Sequence, residues 1–354
     1  MHSTPLRSHW IRTFLLFSAP LVLLTGCLSP EEKARNAVFM PPPPESGEPM
    51  NFPFVVRTNY HGWKDAIVLN NGRVEAVIVP EIGRIMQFRF AGAEDGPFWE
   101  NAALYGKSPE AESEEWMNFG GDKAWPAPQA DWQYKTPRSW PPPVAFDAAP
   151  VTAGIRERTV TLTSPIDPYY GIRVIRTIRL ELDRPVMKVT TTFEKVYGDA
   201  LLASIWVVTQ LKDPLTAFAR IPDPSIYVEK YNLQSEELPP DLVIGQNWIS
   251  LSRNPRTPHK IGTDSGTLIW VGRDYLLRID SPREPNLPGQ RYPDQGSSAE
   301  IYTNADPLPY VELEMLGPLR KMIEGDRISR SSTYTLQRRR EADPHFEVEM
   351  MMAH

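Results

Sequence analysis

Cysteine occurs once in the chain, at Cys27, so no intramolecular disulfide can brace the fold and a hydrophobic core must hold it. With 354 residues the chain is long enough for such a core, as one large domain or two small ones. Positive charge is in deficit: 38 Lys and Arg stand against 44 Asp and Glu, a formal net charge of −6. That balance is wrong for a phosphate backbone and argues against a nucleic-acid partner. Helical periodicity is scarce as well. No long segment repeats its apolar residues every 3.6 positions, a short turn near Pro109 to Trp116 aside, and the 37 Pro would interrupt helix interiors. No solenoid or propeller repeat is visible. The chain lacks a P-loop, a dinucleotide fingerprint, a His-Glu-x-x-His zinc helix and a Gly-x-Ser-x-Gly elbow, and it shows no calcium-loop spacing. No cofactor is expected and no metal ligands are assigned, although carboxylates from separate loops can meet in space.

What is present begins with a leader. Arg7 and Arg12 form a basic start, and Phe14 to Leu24 is mostly apolar but too short to span a bilayer with ease. Leu24-Thr25-Gly26-Cys27 resembles a bacterial lipobox, whose Cys is lipidated and becomes the N-terminus after cleavage. Residues 1–26 thus read as a lipoprotein signal peptide, and the lipid bilayer, reached through acylated Cys27, as a partner. Leu28 rather than Asp follows the Cys, which points to outer-membrane sorting in a Gram-negative host. The expected location is the cell envelope, lipid-anchored, at the outer membrane or facing the periplasm. Residues 27–50 contain Pro41-Pro42-Pro43-Pro44 and read as an extended tether. A domain over 51–340 follows, then a charged tail over 341–354. Cleavage removes Arg7 and Arg12 and no acid, so the processed chain is more acidic still.

The domain alternates with period two. Arg73 to Val79 follows the hairpin signal Asn70-Asn71-Gly72. Met86, Phe88 and Phe90 alternate with Gln87 and Arg89, and Val160 and Leu162 alternate with threonines. Ile172, Val174, Ile178, Leu180 and Leu182 share one face of a long run, and Met187, Val189, Thr191 and Phe193 continue after a turn at Asp183-Arg184-Pro185. So many half-buried segments predict an all-β antiparallel sandwich.

One segment stands out against this pattern: Gly120-Gly121-Asp122-Lys123-Ala124-Trp125-Pro126-Ala127-Pro128-Gln129-Ala130-Asp131-Trp132. Its polar residues argue against a strand buried on both faces, and its aromatics argue against an ordinary solvent loop. With Trp116 and Trp140, four of the chain's ten Trp fall within residues 116–140. Indole faces beside amide, carboxylate and ammonium groups suit a sugar ring, whose C–H faces stack and whose hydroxyls need directional partners. Carbohydrate is therefore the expected partner.

Three stretches together resemble the galactose mutarotase-like superfamily: Asn71 to Ile85, the Gly120 to Trp132 segment, and Tyr310-Val311-Glu312-Leu313-Glu314-Met315-Leu316-Gly317-Pro318 with Ile323-Glu324-Gly325-Asp326. The GGDK-W-PAPQ run is most similar to an uncharacterised bacterial domain family of that superfamily. The resemblance covers most of residues 55–336 and implies an antiparallel β-supersandwich. In mutarotases a late Glu takes a proton from the anomeric hydroxyl while a His donates one to the ring oxygen. Glu312 and Glu314 occupy the late strand, on one face, about 7 Å apart at a rise of about 3.3 Å per residue. They are a candidate base, or alternatively a salt-bridged pair on a solvated face. The strand Ile205 to Leu211 matches the region of the donor His, but Trp206 and Gln210 stand there instead.

Of the histidines beyond the leader, His61, His259, His345 and His354, His61 in a turn is the candidate substitute acid, with Lys123 or Asp122 as further candidates. A buried Lys123 would need its pKa lowered to act so, and as a fixed cation it would suit an acidic sugar. Asp122, Lys123, Trp125, Gln129, Trp132, Trp206 and Gln210 form the candidate binding set. Trp125 and Trp132 could equally pack a loop onto the sandwich, Gln129 and Asp131 could equally close turns, and Arg84 reads as a ligand contact or a surface residue. The two leading functions are a membrane-anchored carbohydrate-binding domain and, alternatively, an aldose 1-epimerase-type enzyme with a Glu base and a non-standard acid. A glycoside hydrolase or lyase ranks lower, because two acids side by side on one strand do not flank a scissile bond. The sequence sets neither the sugar nor the oligomeric state.

Overall fold

The computed structural model describes residues 53–109, 115–285 and 291–352. The leader, Cys27, the proline tether and most of the short turn expected near Pro109 to Trp116 lie outside them. The described residues form the expected all-β antiparallel architecture, one 11-stranded and one 10-stranded sheet. The Asn70-Asn71-Gly72 hairpin forms as read: Asn71 Oδ1 accepts from the backbone N–H of Arg73 and Val74, and Gly72 takes φ 84°.

The 11-stranded sheet carries the Asp122–Ala127 strand beside Leu201–Lys212, which pairs in turn with Tyr310–Leu316; Ala299–Thr303 and His259–Thr263 follow outward. The 10-stranded sheet centres on Ile172–Leu180, Val186–Lys195 and Arg327–Arg338. Alternation supplies the core between the sheets. Phe88, Phe98, Val207 and Leu313 belong to the same buried cluster as Ile178, Phe193, Leu277 and Leu336.

Two sequence expectations are corrected. The Asp122–Ala127 segment is a strand with all six residues buried, so its polarity did not keep it out of the sandwich. Its polar side chains are matched inside. Asp122 pairs with Arg176 of the opposite sheet, whose place in the long apolar run hid it, and accepts hydrogen bonds from Thr209 Oγ1 at 2.7 Å and Tyr334 OH at 2.6 Å. The paired glycines admit this strand. A Cβ on Gly120 would lie 2.2 Å from the Trp99 carbonyl oxygen, and one on Gly121 2.6 Å from that of Ile85.

The second correction is at the C-terminus. Pro344–Met352, read as part of a charged tail, forms an α-helix. The physical reason is apolar cover: Val348, Met351 and Met352 pack on Phe218, Trp248, Ile269, Val271 and Leu276 of the 10-stranded sheet. Glu347 fixes the approach, accepting from Arg339 Nε at 2.8 Å and from the Arg340 backbone N–H at 2.6 Å. The arginine run 338–340 is likewise engaged, with Arg338 over the rings of Phe90 and Tyr275.

Candidate functional site

Register decides which side chains meet. Lys123 stands opposite Val208, and Trp125 opposite Trp206. Across the next pair, Val208 faces Glu314 and Gln210 faces Glu312. Further out, Glu314 faces Glu300 and Glu312 faces Tyr302. Because side chains alternate, Lys123, Trp125, Trp206, Gln210, Glu312, Glu314, Glu300 and Tyr302 share one face of the 11-stranded sheet, turned away from the other sheet. Asp122 is on the opposite face and is therefore separated from the candidate binding set by the sheet itself.

The centre of that face is an incomplete ion pair. Lys123 Nζ lies 3.7 Å from Glu312 Oε1, beyond hydrogen-bond range. Its ammonium rests against the rings of Trp125, at 4.9 Å, and Trp116, at 5.8 Å. Among the described residues neither Lys123 Nζ nor Glu312 Oε1 has a hydrogen-bond partner. Burial lowers the Lys123 pKa to about 8, a shift that the Glu312 carboxylate opposes.

Beside it is a more fully paired cluster. Glu314 Oε2 accepts from Trp206 Nε1 at 2.6 Å and from Lys260 Nζ at 2.9 Å, while its Oε1 has no partner among the described residues. Lys260 also pairs with Glu300 at 2.7 Å and lies over the Trp206 ring. Burial pushes the Glu314 carboxyl well above its ordinary range, and Lys260 opposes that rise. Burial disfavours the charge on Lys260, but Glu300 and Glu314 outweigh it and hold the ammonium protonated. Gln210 and Asn118 flank the hydroxyl of Tyr310, whose ring packs on Trp99 at 4.7 Å.

The tryptophans form a wall. Trp125 is buried and donates its indole N–H to Asp147 Oδ1 at 2.9 Å; Trp132 is buried and donates to the Pro126 carbonyl at 2.8 Å. Both are packing residues in this geometry, with little ring face left for stacking. Trp140 is the exposed ring of the group, at 41%, stacked on Trp132 and edge-on to Trp116 and Trp125. Arg84 is not a surface residue. It is buried, donating to Asp147 at 2.7 Å and to the Gly120 carbonyl at 2.6 Å.

The remaining predicted residues do not join this centre. Gln129 is exposed in a 3₁₀ turn, and Asp131 closes that turn with Lys135 at 2.7 Å. His61, at φ 48°, stacks on Tyr105 with its Nε2 3.8 Å from Glu100 Oε2. Glu100 accepts from Tyr60 at 2.7 Å and Gln87 at 2.9 Å, and burial raises its pKa to about 7. Among the described residues no hydrogen bond or ion pair ties His61 to Lys123, Glu312 or Glu314, and none group three or more His, Cys, Asp or Glu for a metal ion. A cleft of about 670 Å³, lined by Arg220, Asp223, Asp280 and Arg283 among others, touches none of the predicted site residues.

Sequence reasoning missed Lys260, Glu300 and Tyr302. A signal existed for two of them: Glu300 and Tyr302 alternate with Ala299, Ile301 and Thr303, the same two-residue rhythm that exposed Glu312 and Glu314.

No family model and no curated protein sequence matches the chain. Solved structures do. A galactose mutarotase-like protein from Lactobacillus casei ATCC 334 is similar over 77% of this chain and 100% of its own, with TM-score 0.52 and 9% identity. A protein from Escherichia coli K12, provisionally described as an aldose 1-epimerase, is similar over 81% of this chain and 100% of its own, at TM-score 0.51 and 11% identity. A TPR-domain containing protein from Parabacteroides distasonis ATCC 8503 matches at TM-score 0.52 and 11% identity, over 79% of this chain and 48% of that one. At these identities the likeness is one of fold: the chain has the galactose mutarotase-like fold.

Proposed function

We propose that the face of the 11-stranded sheet centred on Lys123 and Glu312 binds carbohydrate, and that acylated Cys27 holds the domain to the cell envelope. The observation that carries the reading is the pair of bare polar atoms. Buried donors and acceptors almost always find partners, and leaving one unmatched costs roughly 1–3 kcal/mol. One hydroxyl placed about 3 Å from both atoms would accept from Lys123 Nζ and donate to Glu312 Oε1. Glu314 Oε1 offers a further acceptor on the same face, and the exposed Trp140 supplies apolar surface. The names of the similar structures, a galactose mutarotase-like protein and a provisional aldose 1-epimerase, favour a sugar over other polyols.

The same pair supports a second reading, an aldose 1-epimerase. The anomeric hydroxyl and ring oxygen share one carbon, so a donor and an acceptor 3.7 Å apart can address both. Glu312 would take the hydroxyl proton while Lys123, with its pKa near 8, gave one to the ring oxygen as the C1–O bond broke; reclosure on the other face reverses both transfers.

Calorimetric titration with a panel of neutral hexoses, uronic acids and oligosaccharides tests the binding. Saturable binding that Glu312→Gln weakens is expected, and no binding across the panel overturns the proposal. Polarimetry of freshly dissolved sugars separates the two readings: accelerated decay abolished by Lys123→Met establishes the enzyme, and unaccelerated decay leaves recognition alone.

A further inference from the structure

A second cavity has a different chemistry. It encloses about 230 Å³ and is lined by Arg320, Arg327 and Arg330 with Glu284, against Ile205, Gly317 and Pro318. That is several times the ~30 Å³ that one water occupies in the liquid. Arg320 lies on the Arg320–Met322 strand, which pairs with the 11-stranded sheet, and Arg327 and Arg330 lie on Arg327–Arg338 of the 10-stranded sheet.

The three guanidinium groups differ in how far they are satisfied. Arg320 Nη2 meets Glu284 at 2.5 Å, and Arg327 meets Glu194 through Nε and Nη2. Both side chains keep substantial exposure, 38% and 61%. Arg330 is buried. Its Nη2 donates to the Ser281 carbonyl at 2.8 Å and its guanidinium meets Tyr292, yet its Nε is buried with no acceptor among the described residues. A desolvated cation with an incomplete hydrogen-bond set is expensive to hold, and Arg330 lines this cavity. Among the described residues Glu284 is the one acid in the lining, against three arginines.

We infer that this cavity is a binding site for a tetrahedral oxyanion, phosphate or sulfate, carried either by a lipid headgroup or by a free ligand. Guanidinium forks match such oxygens in pairs, and arginines from both sheets line this one cavity, so an anion with several oxygens can exchange with the Glu284 and Glu194 contacts. The site shares no lining residue with the Lys123 face, so it stands whether or not that face binds sugar.

The test uses the full-length chain with Cys27→Ser, which cannot be acylated. Inorganic phosphate and sulfate are titrated calorimetrically, and flotation is measured with vesicles of phosphatidylglycerol and of phosphatidylcholine. Saturable phosphate binding is expected, weakened about 10-fold or more in the Arg320→Gln/Arg327→Gln double variant, the loss that follows from removing charged hydrogen bonds. Arg330→Gln should abolish it. Should that buried change prevent folding, the double variant, altered only at exposed positions, decides. Phosphatidylglycerol binding that free phosphate competes away identifies a headgroup; phosphate binding without vesicle binding identifies a free ligand. Absence of both, or a double variant that binds as the parent does, overturns the site.

Discussion

Asp122 and Lys123 are neighbours in the chain, both buried, both charged, and they meet opposite fates. Asp122 points between the sheets, where Arg176, Thr209 and Tyr334 satisfy it. Lys123 points to the outer face, where its one ionic partner is 3.7 Å away and its nitrogen has no acceptor among the described residues. Burial alone therefore does not distinguish the two charges. Completion of the hydrogen-bond set does. The inner pair closes on itself and needs nothing further, whereas the outer pair leaves a donor and an acceptor side by side for a third group.

The largest expected effect lies on the inner side. Asp122→Ala strands the Arg176 guanidinium between the sheets and should destabilise the protein by about 3–5 kcal/mol, read from urea or thermal unfolding. A loss under about 1 kcal/mol would erase the distinction between the two faces. The outer pair should behave differently. Replacing both members, Lys123→Met with Glu312→Leu, removes two incompletely matched charges and should leave stability within about 1 kcal/mol of the parent while eliminating sugar binding. If that double variant proves as unstable as Asp122→Ala, Lys123 and Glu312 are structural.

The pH dependence sharpens the contrast. Lys123 has its pKa lowered from 10.5 to about 8 by burial. Below pH 8 both folded and unfolded chains hold the proton, and the full cost of the buried ammonium is present. Between pH 8 and 10.5 the unfolded chain binds the proton and the folded chain has released it, so this group's contribution to stability rises with pH. The stability of the parent relative to Lys123→Met should therefore increase over that window, while sugar affinity should decline as pH climbs through about 8. Curves that stay parallel from pH 8 to 10.5 would contradict the shift. The smallest effect belongs to Gln129→Ala. Its exposed turn position predicts a stability change within about 0.5 kcal/mol and unaltered sugar affinity; a clear loss of affinity would extend the site to that turn.

The alternation of apolar residues makes the fold legible, and the same rule places Glu312 and Glu314 on one face; Gln210 joins them only through the register of its strand against Tyr310–Leu316. Polarity alone does not report exposure. Asp122 and Lys123 both belong to the candidate binding set read from sequence, although adjacent strand residues must face opposite ways. Trp125 and Trp132 looked available because nothing in the sequence reveals that Asp147, from a helix at Val144–Asp147, takes the Trp125 indole N–H and the Arg84 guanidinium. Arg176 was hidden inside an apolar run, and its role depends on a partner 54 positions away. Such long-range pairings are set by topology, which local patterning does not encode.

The most direct measurement is a crystal structure of the protein with a bound sugar. The prediction is one sugar hydroxyl about 3 Å from both Lys123 Nζ and Glu312 Oε1, with the ring near Trp206. A saccharide seated away from this face, with Lys123 and Glu312 still facing each other unbridged, would contradict it.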